Sequence, residues 1–295
     1  VQSSGVVPAK ENTINGSFGS FVTNTLKYDK INVHISGIDK TNYPTLRAYV
    51  NINGDKDGKS ELASEFTEED FDLIDTMYEI NNFKILKENG YKQVSLAIVM
   101  DKSGSMSGTP LDNAKAAATE AVKYIEENEK IAIIAYDDSN EVVQGLTESK
   151  ERLKRAISKI VSDGGTNISG GLTLGIDTIK NESGSRAIIL MSDGQDGNSG
   201  EMQNTIDYAI KEGIAVYTVG FGDVIDDYMM DIAEQTGGKY MKASDSSELA
   251  DIYLTLQKYI VNNYCIEYTI DKNLETDPRN LIVNISEYNT SDNKD

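Results

Sequence analysis

Two styles of hydrophobic patterning alternate along this chain. Between Lys30 and about Lys92, Ile31-Asn-Val-His-Ile35, Leu46-Arg-Ala-Tyr-Val-Asn-Ile52, Phe71-Asp-Leu-Ile74, Tyr78-Glu-Ile80 and Phe83-Lys-Ile-Leu86 place apolar residues at every second position. Period-two runs bounded by Gly, Asn or Asp predict half-exposed antiparallel strands. From about Gln93 to Tyr264 the strands become continuous apolar runs: Ser95–Met100, Ile131–Ala135, Ala187–Met191 and Ala215–Val219. Strands of that kind are buried on both faces and need helices on both sides.

Helix-length amphipathic segments lie between them: roughly Pro110–Glu127, Lys150–Val161, Ile168–Lys180, Glu201–Lys211, Asp226–Gln235 and Ser247–Tyr264. Thr109-Pro-Leu-Asp112 reads as an N-cap Thr, a Pro in the first turn and an acid three residues after the cap. Glu141–Gly145 fits a short antiparallel edge strand. Alternating strands and helices joined by right-handed crossovers predict an α/β fold with a doubly wound, mostly parallel sheet.

After Tyr264 the alternating style returns in Cys265–Ile270 and Leu281–Ile285. Two strands alone are marginal as a unit, so they are expected to join the N-terminal strands. The division expected is a polar arm at 1–29, a discontinuous β-sandwich domain at 30–92 plus 264–295, and an inserted α/β domain at 93–263. A separate C-terminal piece is the competing division.

Composition removes several functions. The 48 acidic and 28 basic side chains leave a net charge of −20, which repels nucleic-acid phosphates. The acidity is general, since residues 93–263 carry a net −12 and the flanks together −8. One cysteine, Cys265, and one histidine, His34, exclude an internal disulfide and a thiolate zinc site and leave little for Ser-His-Asp catalysis. His34 reads as an exposed strand position and Cys265 as a small buried or half-buried one. No apolar run approaches the roughly 20 residues of a membrane span. The start at Val1 carries neither a basic segment nor an apolar run, so no targeting signal is expected in it.

Chemistry concentrates where buried strands end. Asp101-Lys-Ser-Gly-Ser105 follows the first of them, at the carboxyl edge where doubly wound sheets bind ligands. Ser162-Asp-Gly-Gly-Thr166-Asn precedes a helix, and Ser192-Asp193-Gly194 follows the strand Ala187–Met191. Together these loops offer carboxylates and hydroxyls, an oxygen-only set that suits a hard divalent cation, Mg²⁺ before Zn²⁺.

Asp101-x-Ser103-x-Ser105, Thr166 and Asp193 together resemble the metal-ion-dependent adhesion site of von Willebrand factor type A domains, over about residues 93–263. The β segments beside them, with Pro44-Thr-Leu-Arg-Ala-Tyr-Val50 and Thr67-Glu-Glu-Asp-Phe71, resemble sandwich segments that flank such domains in bacterial surface proteins. The resemblance implies that Ser103, Ser105 and Thr166 coordinate Mg²⁺, with Mn²⁺ or Ca²⁺ as alternatives, while Asp101 and Asp193 supply charge and orient water. It implies an open coordination position for a partner protein's Glu or Asp, and an extracellular or cell-surface location. It also implies that Thr166 and Asp193 exchange as direct ligands when the last helix, here Ser247–Tyr264, moves. A junction between the domains is then placed to bias the site.

Other signals read as ordinary structure. Gly54-Asp-Lys-Asp-Gly58-Lys59-Ser60 has three residues between its glycines where a phosphate loop has four, and read from Asn53 its twelfth position is Ser64, not the Glu of a calcium loop. An acidic hairpin turn is expected there. Asp163 and Asp196 read as solvated rim charges. Functionally, the expectation is a non-enzymatic, metal-dependent protein-binding module, with a scaffold subunit that uses its metal internally as the alternative. A metal-dependent hydrolase is disfavoured because no general base stands near the constellation.

Overall fold

The computed structural model describes residues 27–39, 42–57, 59–63, 66–75, 78–80, 82–86, 93–193, 199–221, 226–243, 248, 252, 255, 264–270, 281–285 and 290–294. These fall into two compact units: those within Val1–Ile35, Lys40–Lys87 and Asn262–Asp295, and those within Ser36–Asp39 and Glu88–Val261.

The first unit holds two antiparallel sheets. One contains β1 (Lys30–Asp39), β2 (Thr45–Lys56), β3 (Lys59–Leu62), β6 (Phe83–Leu86) and β13 (Tyr264–Thr269); the other contains β4 (Phe71–Asp75), β5 (Tyr78–Ile80), β14 (Leu281–Ile285) and β15 (Thr290–Lys294). The C-terminal strands therefore pair with N-terminal ones: β13 lies between β2 and β6, and β14 pairs with β4. In that ladder Glu267 stands opposite both Arg47 and Lys84 and ion-pairs with each, at 3.0 and 2.8 Å. The Tyr268 hydroxyl donates to Asp75 Oδ2 at 3.2 Å, joining β13 to β4.

The acidic stretch lies where β2 and β3 pair antiparallel as a hairpin, with Lys56 opposite Lys59 and Asp57 at φ +52°. Cys265 is buried, as expected of a small strand residue. His34 differs from expectation, because it is half-buried in β1 rather than exposed.

The second unit is built on a six-stranded sheet, ordered β12-β11-β10-β7-β8-β9. Its strands are β7 (Val94–Asp101), β8 (Glu129–Tyr136), β9 (Asn140–Thr147), β10 (Ser185–Ser192), β11 (Ala215–Phe221) and β12 (Tyr240–Ala243). All pairings are parallel except that of β9, the antiparallel edge. The sheet is flanked by α1 (Thr109–Val122), α2 (Lys150–Lys159), α3 (Ile168–Ile179), α4 (Met202–Glu212) and α5 (Asp226–Gln235). This is the mixed α/β, mostly parallel architecture that the patterning predicts. Every residue of β7 and of β10 is buried, and each fully buried Ile or Leu among them contributes about 1.5–3 kcal/mol.

Local sequence explains most boundaries. α3 buries Ile168, Leu172, Ile176 and Ile179 on one stripe, and Gly175 lets it approach the sheet, since a Cβ there would lie 2.8 Å from Val99 Cγ2. α4 stops at Gly213, in the left-handed region at φ +65°. α1 begins one residue before the expected place: Gly108, at φ +78°, is the N-cap and Thr109 is already helical. Its last turns were expected to reach Glu127 but end at Val122. β12 is a strand the patterning does not announce. The expected last helix, Ser247–Tyr264, lies almost wholly outside the described residues, as does Asp196.

Candidate metal centre

β7 delivers Asp101 to the carboxyl edge of the sheet, where it is fully buried. Both of its oxygens are engaged: Oδ1 accepts the Ser103 N–H at 2.9 Å and Oδ2 accepts the Ser192 hydroxyl at 2.8 Å. The first of these bonds curls the loop back on itself, and Ser103 and Ser105 bring their Oγ atoms to 3.1 Å of each other. Ser103 is buried and Ser105 exposed, so this hydroxyl pair faces from the interior to the rim.

The second loop is tied to the first through the main chain. Gly104 N–H donates to Gly164 O at 3.0 Å, and Asp163 N–H donates to Lys102 O at 2.8 Å. Gly164 adopts φ +68°, and its neighbour Gly165 donates its N–H to Asp138 Oδ2 at 2.7 Å. A Cβ at Gly165 would lie 2.5 Å from Asp138 Oδ1, so a side chain there would displace the Asp138 carboxylate from this bond. Thr166 follows, half-buried, at the entrance to α3, whose N-cap Asn167 accepts the Gly170 N–H at 2.9 Å.

The third loop arrives by strand register. β10 runs parallel to β7 with Met191 beside Met100, which sets Ser192 and Asp193 next to Asp101. Burial pushes the Asp101 carboxyl above its ordinary range; the bonds from Ser103 and Ser192 pull it back, and the charge of Asp193 pushes it further up. Asp193 Oδ1 is buried with no hydrogen-bond partner among the described residues. Beneath them Tyr136 is held as a neutral phenol, well above its ordinary value, by burial and then by the Asp101 charge. Its hydroxyl donates to Met191 O at 3.2 Å.

Asp101, Ser103, Ser105, Thr166 and Asp193 are thus carried on three adjoining loops at one edge of the sheet. Four further residues belong to the same neighbourhood and were not singled out by sequence: Ser192, Lys102, Asp137 and Asp138. Paired acids directly after a buried strand, as in Tyr136-Asp137-Asp138, are the signal that points to the last two.

A divalent cation fits this donor set. Among the described residues no group of three or more His, Cys, Asp or Glu forms a metal cluster, so the donors on offer are hydroxyls and two carboxylates. Such ligands suit a hard ion that keeps part of its water. The orphaned Asp193 Oδ1 is an acceptor in need of a cation or a donor, because a buried carboxylate oxygen without either is costly.

A sequence model described as the von Willebrand factor type A domain matches residues 95–255. Inter alpha-trypsin inhibitor heavy chain 4 of Mus musculus is 28% identical over 200 residues, covering 60% of this chain and 21% of that protein. The chain spans about a third or less of the length of such curated relatives. Among solved structures, proximal thread matrix protein 1 from the mussel byssus, with a zinc-occupied adhesion-site motif, superposes with a TM-score of 0.54 at 20% identity, over 64% of this chain and 50% of that one. The PilB minor pilin of Streptococcus sanguinis gives a TM-score of 0.51 at 14% identity, over 79% of each chain. At these identities the structural likeness is one of fold.

Proposed function

From the premise that this chain belongs to the von Willebrand factor type A domain family, one of protein–protein interaction and adhesion, we propose that it is a metal-dependent binding module for a partner's acidic side chain. The observation that carries the reading is the buried Asp193 Oδ1, without a partner among the described residues, beside the doubly bonded Asp101. Ser103, Ser105 and Thr166 hold the ion through their hydroxyls. Asp101 has both oxygens occupied by Ser103 and Ser192, so its part is to supply charge and orient water. Asp193 has an oxygen to spare.

A bound divalent ion supplies a Lewis-acidic position that a partner's Glu or Asp completes. Mg²⁺ is the first choice, with Mn²⁺ or Ca²⁺ as alternatives. The net-negative surface then shapes the partner, which presents a carboxylate from an otherwise neutral or basic face and binds less well as salt rises.

The role is non-catalytic. The Asp101 carboxylate is engaged by Ser103 and Ser192, that of Asp137 by Lys102 and Ser139, and the single histidine lies in the other unit, so no described general base is set beside the three loops. A surface or extracellular setting goes with this reading of the site. We read the two antiparallel sheets of the first unit, linked by Tyr268 and Asp75, as the layers of a β-sandwich.

Calorimetric titration of Mg²⁺ and Mn²⁺ into chelator-stripped protein tests the site. Heat and a thermal shift are expected, and both are lost in Asp101→Ala and Thr166→Ala while the fold is kept. A screen for protein partners with and without EDTA tests the function; partner binding that persists unchanged in EDTA overturns the proposal.

A further inference from the structure

Lys102 stands between Asp101 and Ser103, yet its side chain turns inward. It ion-pairs with Asp137, and both residues are buried. A positive charge is therefore held inside the loop that would receive a dication, with a carboxylate beside it that lies outside the expected ligand set.

The course of the backbone does not depend on that ion pair. Lys102 N–H donates to Tyr136 O at 2.8 Å, and Lys102 O accepts the Asp163 N–H at 2.8 Å. Asp137 Oδ1 is held separately by the Ser139 N–H at 2.6 Å and the Ser139 hydroxyl at 2.8 Å, and Asp137 N–H donates to Ser139 O at 2.9 Å. These bonds survive loss of the ammonium, and those made by the main chain survive loss of either charge. What the two side chains exchange is chiefly charge, in surroundings where charges are weakly screened.

We propose that Lys102 and Asp137 are a built-in charge compensator that tunes the cation affinity of the neighbouring site: Asp137 cancels the positive charge of Lys102, and Lys102 withholds the Asp137 carboxylate from the ion. The inference rests on the metal-site reading above. Neither residue touches the ion; both are positioning residues acting through the field. The consequence is a pair of substitutions with opposite signs. Asp137→Asn leaves a buried ammonium beside the site and weakens cation binding. Lys102→Met leaves an extra carboxylate and tightens it. A brace holding the loops in place would instead weaken binding in both variants.

The experiment is calorimetric titration of Mg²⁺ into the stripped protein and its variants, with the thermal midpoint of each stripped protein as a check on folding. The expected result is about tenfold weaker binding for Asp137→Asn, about tenfold tighter binding for Lys102→Met, and a double variant Lys102→Met/Asp137→Asn within about threefold of the parent. Weakening in both single variants, or unchanged affinity in both, overturns the proposal. If Asp137→Asn does not fold, Lys102→Met decides alone: unchanged or weaker binding overturns it. A parent chain that takes up no Mg²⁺, Mn²⁺ or Ca²⁺ overturns the metal-site reading itself, and is seen before any variant is made.

Discussion

Gly171 of α3 rests on the ring of Tyr136: a Cβ at position 171 would lie 2.6 Å from Tyr136 Cδ1. The contact sets how closely α3 approaches the sheet. Thr166 and the N-cap Asn167 lie within five residues of it along the chain, so the height of the second loop over Asp101 is fixed by a side chain that is not there.

Gly171→Ala is expected to force α3 outward, because the Tyr136 ring is buried on all sides and cannot yield. Overpacking of this kind costs about 1–3 kcal/mol. A lowered thermal midpoint with weakened Mg²⁺ binding is the expected outcome; a midpoint equal to the parent's would show that the helix absorbs the methyl group.

Asp193→Asn separates function from stability. Removing a half-buried charge that repels Asp101 is expected to leave the stripped protein as stable as the parent or more so, while the Mg²⁺-induced thermal shift disappears. Differential scanning calorimetry with and without Mg²⁺ reads both effects. A stripped variant that unfolds earlier than the parent contradicts the repulsion argument.

Arg186 provides the converse case. It is buried at the far end of β10, where its guanidinium donates to Lys180 O and, at 2.9 Å, to Glu212 O, the carboxyl ends of α3 and α4. Arg186→Leu removes charge-assisted bonds to two helix ends and is expected to cost about 2–4 kcal/mol. Mg²⁺ affinity, measured well below the midpoint, is expected to remain that of the parent, because the loops of the candidate site lie at the opposite edge of the sheet.

The first unit carries a pH signature. Glu267 is held below the ordinary glutamate range by hydrogen bonds from Lys84 and then Arg47, against an opposing push from burial. Its folded pKa is depressed, so its contribution is fully present above the unfolded value and is lost as pH falls through the folded one. Chemical denaturation between about pH 6 and about pH 3 is expected to show a steeper loss of stability in the parent than in Glu267→Gln. Parallel curves would remove Glu267 as the cause.

Much of this molecule is legible from residue order. The unbroken apolar runs Ser95–Met100 and Ala187–Met191 can only be satisfied by helices on both faces, and the returning alternation at Cys265–Ile270 asks for partners that only antiparallel strands supply. The loops of the candidate site follow directly, since Asp101, Thr166 and Asp193 each adjoin the end of a buried strand or the start of a helix. β12 escaped because Tyr240–Ala243 is four residues long, too short for any period to declare itself. The first turn of α1 departs from the sequence expectation because a cap depends on φ and ψ, which at Gly108 override the preference of Thr109.

What the sequence by itself determined was the periodicity, the sheet class and the oxygen-only chemistry of the three loops. Tertiary structure decided which atoms remain available. It occupied both oxygens of Asp101, left Asp193 Oδ1 without a partner among the described residues, and turned Lys102 inward onto Asp137, a residue 35 positions away. Hydrogen-bond saturation and charge pairing are properties of neighbours in space, and residues distant along the chain become neighbours only when β7, β8 and β10 lie side by side.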